Sequence, residues 1–224
     1  YKRQDVVIVV DDLASTMAAA IVTKKHGISL AHLVAGTRSF DIKMPKEINR
    51  LVIDGLSDYL FTAGMGSNSI VSREGAELSH VYEVGNILMD TLRFNHNRLQ
   101  RPAVMDDLKL ENGKYIVFTL NRKALIADKE NLGNMIYAMN KAAGNTPIIA
   151  VLRNNAKEVV SQLTADMADI HIIDSLPYLE FGYLTAHAMG IITDSGNVAE
   201  EATFNNVPCI TLNSYTEHIE TVKQ

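Results

Sequence analysis

A chain of 224 residues suffices for one large or two modest domains, and 47% hydrophobic against 21% charged residues sets it among ordinary globular proteins, not disordered or fibrous ones. A formal charge of −5 without any Lys/Arg-rich run argues against electrostatic nucleic-acid binding, while a small anion held by a few local donors stays open. No apolar run approaches the ~18 residues that cross a bilayer, no cleavage-site pattern opens the chain, and the single Cys209 makes no internal disulfide, so a soluble cytoplasmic protein is expected with Cys209 as a packing residue.

In chain order, "DVVIVV" (5–10) reads as a strand, 14–26 as a helix, "ISLAHL" (28–33) as a strand, 46–57 as a helix, and "DYLFTA" (58–63) and "HVYEVG" (80–85) as strands. A helical pattern follows over 86–98. The stretch 93–113 is poor in apolar runs, contains a Pro and closes on Asn112-Gly113, which marks a linker over 101–112 between domains 1–100 and 113–224. Then come strand "YIVFTL" (115–120), helix 129–143, strands "PIIAVL" (147–152) and "IHIID" (170–174), helix 178–188, strand "GIIT" (190–193), a helix opening at "VAEEATF" and strand "PCITL" (208–212). The strands are continuously apolar, not alternating. That is the mark of parallel sheets covered by helices on their faces, an α/β fold.

Open parallel sheets bind ligands beyond the carboxyl ends of their strands, so the residues just after the strands carry the interest. Asp11-Asp12 follow the first strand; mutual repulsion suits one of them to acid/base work, or one caps the next helix. Arg38, Lys43, Lys46 and Arg50 form a cationic cluster that suits a pyrophosphate, or with Glu47 an exposed helix face of ion pairs. Arg122 follows "YIVFTL", where a guanidinium binds phosphate bidentately. In "TDSGNVAEEA" (193–202), Ser195-Gly196 make either a phosphate cradle at a helix start or a plain strand-to-helix turn, and Glu200 and Glu201 complement the dipole or accept from ribose hydroxyls. His80, His96 and His171 have no partner at metal-ligand spacing, so neither a metal nor a cofactor is expected.

Taken together, "VVIVVDDLASTMAAAIVTKKHGISLAHLVAGTRSFDIKMPKEINRLVIDGLSDYLFTAG", "VGNILMDTL", "IVFTLNRK" and "ITDSGNVAEEATFNNVPCITLNSYTEHIETV" resemble the non-hydrolysing UDP-N-acetylglucosamine 2-epimerases over nearly the whole chain. The resemblance implies two Rossmann-like domains facing a cleft, similar to the glycosyltransferase B architecture, with further N-terminal strands and a terminal helical segment not in this sequence. It also implies interconversion of UDP-GlcNAc and UDP-ManNAc, by expelling UDP and adding it back, in polysaccharide precursor synthesis. Homodimers and a UDP-sugar ligand follow from the same resemblance, with no nucleic acid or membrane partner.

Residue by residue, the resemblance gives Asp12 and Glu47 as catalytic candidates. Arg122, Ser195, Gly196, Asn197, Glu201, Thr216, Glu217 and His218 become substrate-binding candidates, Ser195 and Gly196 at the pyrophosphate and Glu201 at the ribose. Several family positions differ. Val34 stands where the family has a catalytic Glu, Lys46 where it has the first Glu of Pro-Glu-Glu, Asn121 and Leu152 where it has His, and Asn197 where it has a second Gly. Since losing a general acid or base costs about 10²–10⁴ in rate, two further readings stand beside the epimerase: a relative that binds nucleotide or a partner without turnover, and a glycosyltransferase of related architecture.

Overall fold

The computed structural model describes residues 4–212. The chain divides into two compact units, one up to Thr91 and the other from Leu92 on.

The first unit runs β1 (Val6–Val10), α1 (Ala14–Lys25), β2 (Ser29–Ala35), α2 (Pro45–Leu56), β3 (Tyr59–Thr62), α3 (Met65–Arg73) and β4 (Val81–Glu83). Its sheet is wholly parallel in the order β1-β2-β3-β4. Because each crossover steps the same way and parallel crossovers are right-handed, the connecting helices fall on one face. There Val9, Leu30, Ala20 and Ile53 form a core, with Leu60 and Val71 beside it. α2 starts on Pro45, whose missing N–H and fixed φ suit the first helical position.

The second unit carries α5 (Val104–Asp107), β5 (Ile116–Thr119), α6 (Lys123–Ala127), α7 (Lys129–Ala143), β6 (Ile148–Val151), α8 (Asn154–Leu163), β7 (Ile170–Ile173), α9 (Tyr178–Ala186), β8 (Gly190–Thr193), α10 (Gly196–Phe204) and β9 (Cys209–Thr211). In chain order α4 (Ile87–Asn95) follows β4, and the boundary between the units falls within it. The second sheet is parallel, ordered β7-β6-β5-β8-β9. Successive residues of its strands face opposite cores: Phe118, Ile148 and Ala150 pack with Ile136 and Val160, while Val117, Ile149 and Ile191 pack with Tyr115 and Leu184. Each fully buried Ile or Phe contributes about 1.5–3 kcal/mol, which is why these strands are apolar on both sides.

The stretch read as a linker is packed. Met105 and Leu110 are buried in the core of the second unit, although their polar neighbours hide them in the sequence. α7 is capped by Asp128, which accepts from the Asn131 amide, and ends at Gly144 with φ +60°, a conformation that glycine enters without steric cost. Cys209 packs against this second core, and burial pushes its thiol pKa up.

Candidate functional site

In the second unit, strand order reverses between β5 and β8, the place where open α/β sheets bind ligands. The loops leaving these two strands are tied together by Asp194, whose buried carboxylate accepts from the amides of Asn121 (2.8 Å) and Arg122 (2.6 Å). The Arg122 Nε donates to the Asp194 carbonyl at 3.2 Å, which fixes the root of the guanidinium beside the start of α10. Below them the hydroxyls of Thr119 and Thr193 share a hydrogen bond of 2.6 Å, and Thr193 Oγ1 accepts from the Ser195 amide at 3.0 Å.

Ser195 is the N-cap residue of α10, its hydroxyl accepting from the Val198 amide at 3.5 Å. Gly196 and Asn197 are then the first two helical residues, whose amides have no acceptor within the helix and suit an anion. Four of the sequence-derived candidates, Arg122, Ser195, Gly196 and Asn197, thus meet at one switch point.

Glu201 lies farther along. Glu200 and Glu201 are buried and sit beyond the first turn of α10, which has no acidic residue, so the dipole reading is corrected. Burial, with the neighbouring Glu200 adding to it, pushes the Glu201 carboxyl up to about 7. Its side chain borders a small pocket with Asn95, Tyr178 and Phe204. Thr216, Glu217 and His218 lie outside the described residues.

In the first unit, Asp12 does not cap α1. The N-cap residue is Leu13, which makes no side-chain cap, and the first turn has no acidic residue. Nor does Asp11 repel it into an acid, because the partners of Asp12 are cations. One carboxylate oxygen accepts from Lys46 Nζ at 2.8 Å, the other from Arg50 Nε and Nη2 at 2.8 and 2.5 Å, and Asn49 holds the Asp12 carbonyl at 2.8 Å. Burial alone would raise the Asp12 carboxyl; the Lys46 hydrogen bond and the Arg50 charge outweigh it and hold the group below the ordinary carboxylate value.

Glu47, the other catalytic candidate, is 2% exposed and fully engaged. Its oxygens accept from the Ser39 amide (2.9 Å), the Ser39 hydroxyl (3.0 Å), the Phe40 amide (3.0 Å) and Arg50 Nη1 (3.2 Å). Burial raises its carboxyl and these donors more than reverse the effect, so the group is held ionised. The exposed-face reading of the cations is likewise corrected: Arg38 and Arg50 are buried and matched by carboxylates, and only Lys43 and Lys46 reach solvent.

One network escaped the sequence reading. Arg38, 1% exposed, donates to Glu74 through Nε at 2.9 Å and pairs through Nη2 with Asp54 at 2.7 Å, while the other Asp54 oxygen meets His32 Nδ1 at 2.5 Å. Burial raises the Asp54 carboxyl, but the His32 hydrogen bond and the Arg38 charge hold it low. The Gly36 amide also donates to Asp54, at 3.0 Å. Gly36 has φ +76°, and a Cβ there would stand 2.5 Å from the Ser67 carbonyl oxygen, so only glycine fits. The partners lie 16 to 36 residues apart, beyond any local periodicity.

Just before Gly36, the register between β2 and β3 shifts and Val34 takes φ +62°. Bulges at strand ends re-aim side chains near sites. Here the residue at the bulge is a valine, whose side chain offers no group that exchanges a proton.

A sequence model of the UDP-N-acetylglucosamine 2-epimerases matches residues 1–224. A Methanococcus maripaludis protein named as a UDP-N-acetylglucosamine 2-epimerase homolog is 35% identical over 99% of this chain and 63% of its own length. The Pseudomonas aeruginosa UDP-2,3-diacetamido-2,3-dideoxy-D-glucuronate 2-epimerase is 32% identical over 96% of this chain and 60% of its own. The solved structure of the Methanocaldococcus jannaschii UDP-GlcNAc 2-epimerase in complex with UDP-GlcNAc and UDP matches with a TM-score of 0.85 at 35% identity, covering 98% of this chain and 63% of that one. The chain therefore spans less than two thirds of the length of these relatives. Parallel α/β sheets, a switch-point loop tied by Asp194 and a family match across all 224 residues agree: the chain belongs to the UDP-N-acetylglucosamine 2-epimerase family.

Proposed function

We propose that the protein binds a UDP-sugar and is epimerase-like, interconverting UDP-GlcNAc and UDP-ManNAc by elimination and re-addition of UDP. The amides of Gly196 and Asn197, the Ser195 hydroxyl and Arg122 hold the diphosphate, Glu201 accepts from the ribose, and Thr216, Glu217 and His218 add further contacts. Asp12 serves as the acid/base group at the sugar. The observation that carries this reading is the joining of the β5 and β8 loops through Asp194 at the switch point. In this reading the protein works in the cytoplasm as a homodimer, in polysaccharide precursor synthesis.

A second reading is favoured by the Asp12 ion pairs: UDP-sugar binding without turnover. A carboxylate held low by Lys46 and Arg50 is a weak base at neutral pH, and Val34 offers none. Calorimetry with UDP, paired with an assay of sugar-nucleotide interconversion, tests both. Turnover that disappears in Asp12→Asn supports the epimerase; UDP binding without turnover assigns the second reading; no UDP binding ends both.

A further inference from the structure

Phe40 sits where stability gives no reason for a phenylalanine. Its φ is +60°, a region that bulky side chains enter only under constraint and that Gly or Asn occupies at lower cost. The residue is 70% exposed, so burial does not offset the strain. Ile42, two residues on, is exposed as well. Neither backbone preference nor packing selects these side chains.

The conformation is imposed from beneath. Glu47 Oε1 accepts from the Phe40 amide at 3.0 Å, and Oε2 from the Ser39 amide and hydroxyl at 2.9 and 3.0 Å. Glu47 is in turn held by Arg50 Nη1 at 3.2 Å, and the same guanidinium grips Asp12 through Nη2 at 2.5 Å. One turn of α2, from Lys46 to Arg50, therefore fixes both the Asp12 carboxylate and the backbone that presents the Phe40 ring. Strained backbone held by surrounding structure clusters at ligand clamps, and small-molecule sites pair an apolar ring face with a few placed polar groups.

We propose that Phe40 is a sugar-contacting residue, its ring packing on the apolar face of the pyranose of the sugar nucleotide, with Glu47 as the positioning residue that aims it. This rests on the UDP-sugar reading of the site. A pyranose suits the pairing: its C–H face lies on an aromatic ring while its hydroxyls meet charged groups such as Asp12 and Lys46.

The test compares UDP, UDP-GlcNAc and UDP-ManNAc by calorimetry on the full chain for wild type, Phe40→Gly and Phe40→Tyr, with melting temperatures alongside. In Phe40→Gly the affinity for a UDP-sugar relative to UDP is expected to fall about tenfold. The melting temperature should hold or rise, because glycine relieves the left-handed backbone. Phe40→Tyr, which keeps the aromatic ring, should retain the wild-type ratio. An unchanged ratio in Phe40→Gly overturns the proposal, and an unchanged ratio with altered oligomeric state reassigns the ring to an interface between copies. If wild type binds UDP but shows no preference between UDP and UDP-sugars, the platform alone fails; if it binds none of the three, the underlying UDP-sugar reading fails with it.

Discussion

Asp12 shows how little a residue's chemistry is contained in its neighbours along the chain. Beside Asp11 it looks like half of a repelling carboxylate pair; in the fold its charge is matched by Lys46 and Arg50, 34 and 38 residues away. Removing that charge takes a carboxylate partner from the buried Arg50 guanidinium, so Asp12→Asn is expected to lower stability by roughly 3 kcal/mol at pH 7, read from urea denaturation. The folded-state pKa of Asp12 lies below its ordinary 3.8, so this stabilisation is complete above 3.8 and disappears as pH falls through the lower, folded value. The gap between wild type and variant should accordingly narrow as the pH drops below about 4. A gap that stays constant down to acid unfolding would show that Asp12 acts through packing and not through charge.

At the scale of the element, α2 and α10 use buried acids in opposite ways. α2 surrounds Glu47 and Asp54 with donors and keeps both ionised. α10 buries Glu201 next to Glu200, with Tyr178 of α9 and His96 bordering the same pocket. A folded pKa of about 7 against an ordinary 4.5 means that Glu201 favours folding below 4.5 relative to higher pH, and that this is lost as pH rises through 7. Glu201→Gln should therefore be more stable than wild type by up to roughly 3 kcal/mol above pH 8, with the advantage shrinking toward pH 4.5. Thermal melts across pH 4.5–8.5 measure this directly. Equal shifts at all pH values would mean that the carboxyl titrates normally. On the UDP-sugar reading the same titration strengthens ribose binding as pH rises, since the carboxylate accepts two hydroxyls where the neutral acid accepts fewer.

For the molecule as a whole, the two sheets differ in how they meet solvent. The second sheet winds both ways from β5 and buries a core on each face. The first steps in one direction, and the outward residues of its edge strand β1, Val6, Ile8 and Val10, stay 45%, 64% and 49% exposed. An apolar edge strand of this kind invites pairing with other chains. Ile8→Lys should reduce concentration-dependent association and hydrophobic-dye binding of this polypeptide without lowering its melting temperature, as light scattering and dye fluorescence would record. Undiminished association would place the sticky surface elsewhere, with the exposed Phe94 the next candidate.

All nine strands found among the described residues were legible from short apolar, β-branched runs such as "YIVFTL" and "GIIT", most sharply in the middle of the second sheet, where a strand covered on both faces must be apolar at every position. Helix α7 was legible to the residue for a similar reason, its periodicity and Gly144 both being local. The switch-point loops were legible too, since strand ends and the turn at Ser195-Gly196 are written in contiguous residues. What only the tertiary structure decided is the state of the charges: Asp12 paired, Glu47 turned inward, Arg38 buried against Asp54 and Glu74, Met105 drawn into a core from a stretch that reads as a linker. Backbone form follows from the residues next in line, whereas the field at a carboxylate is set by groups that the chain brings near only when it folds.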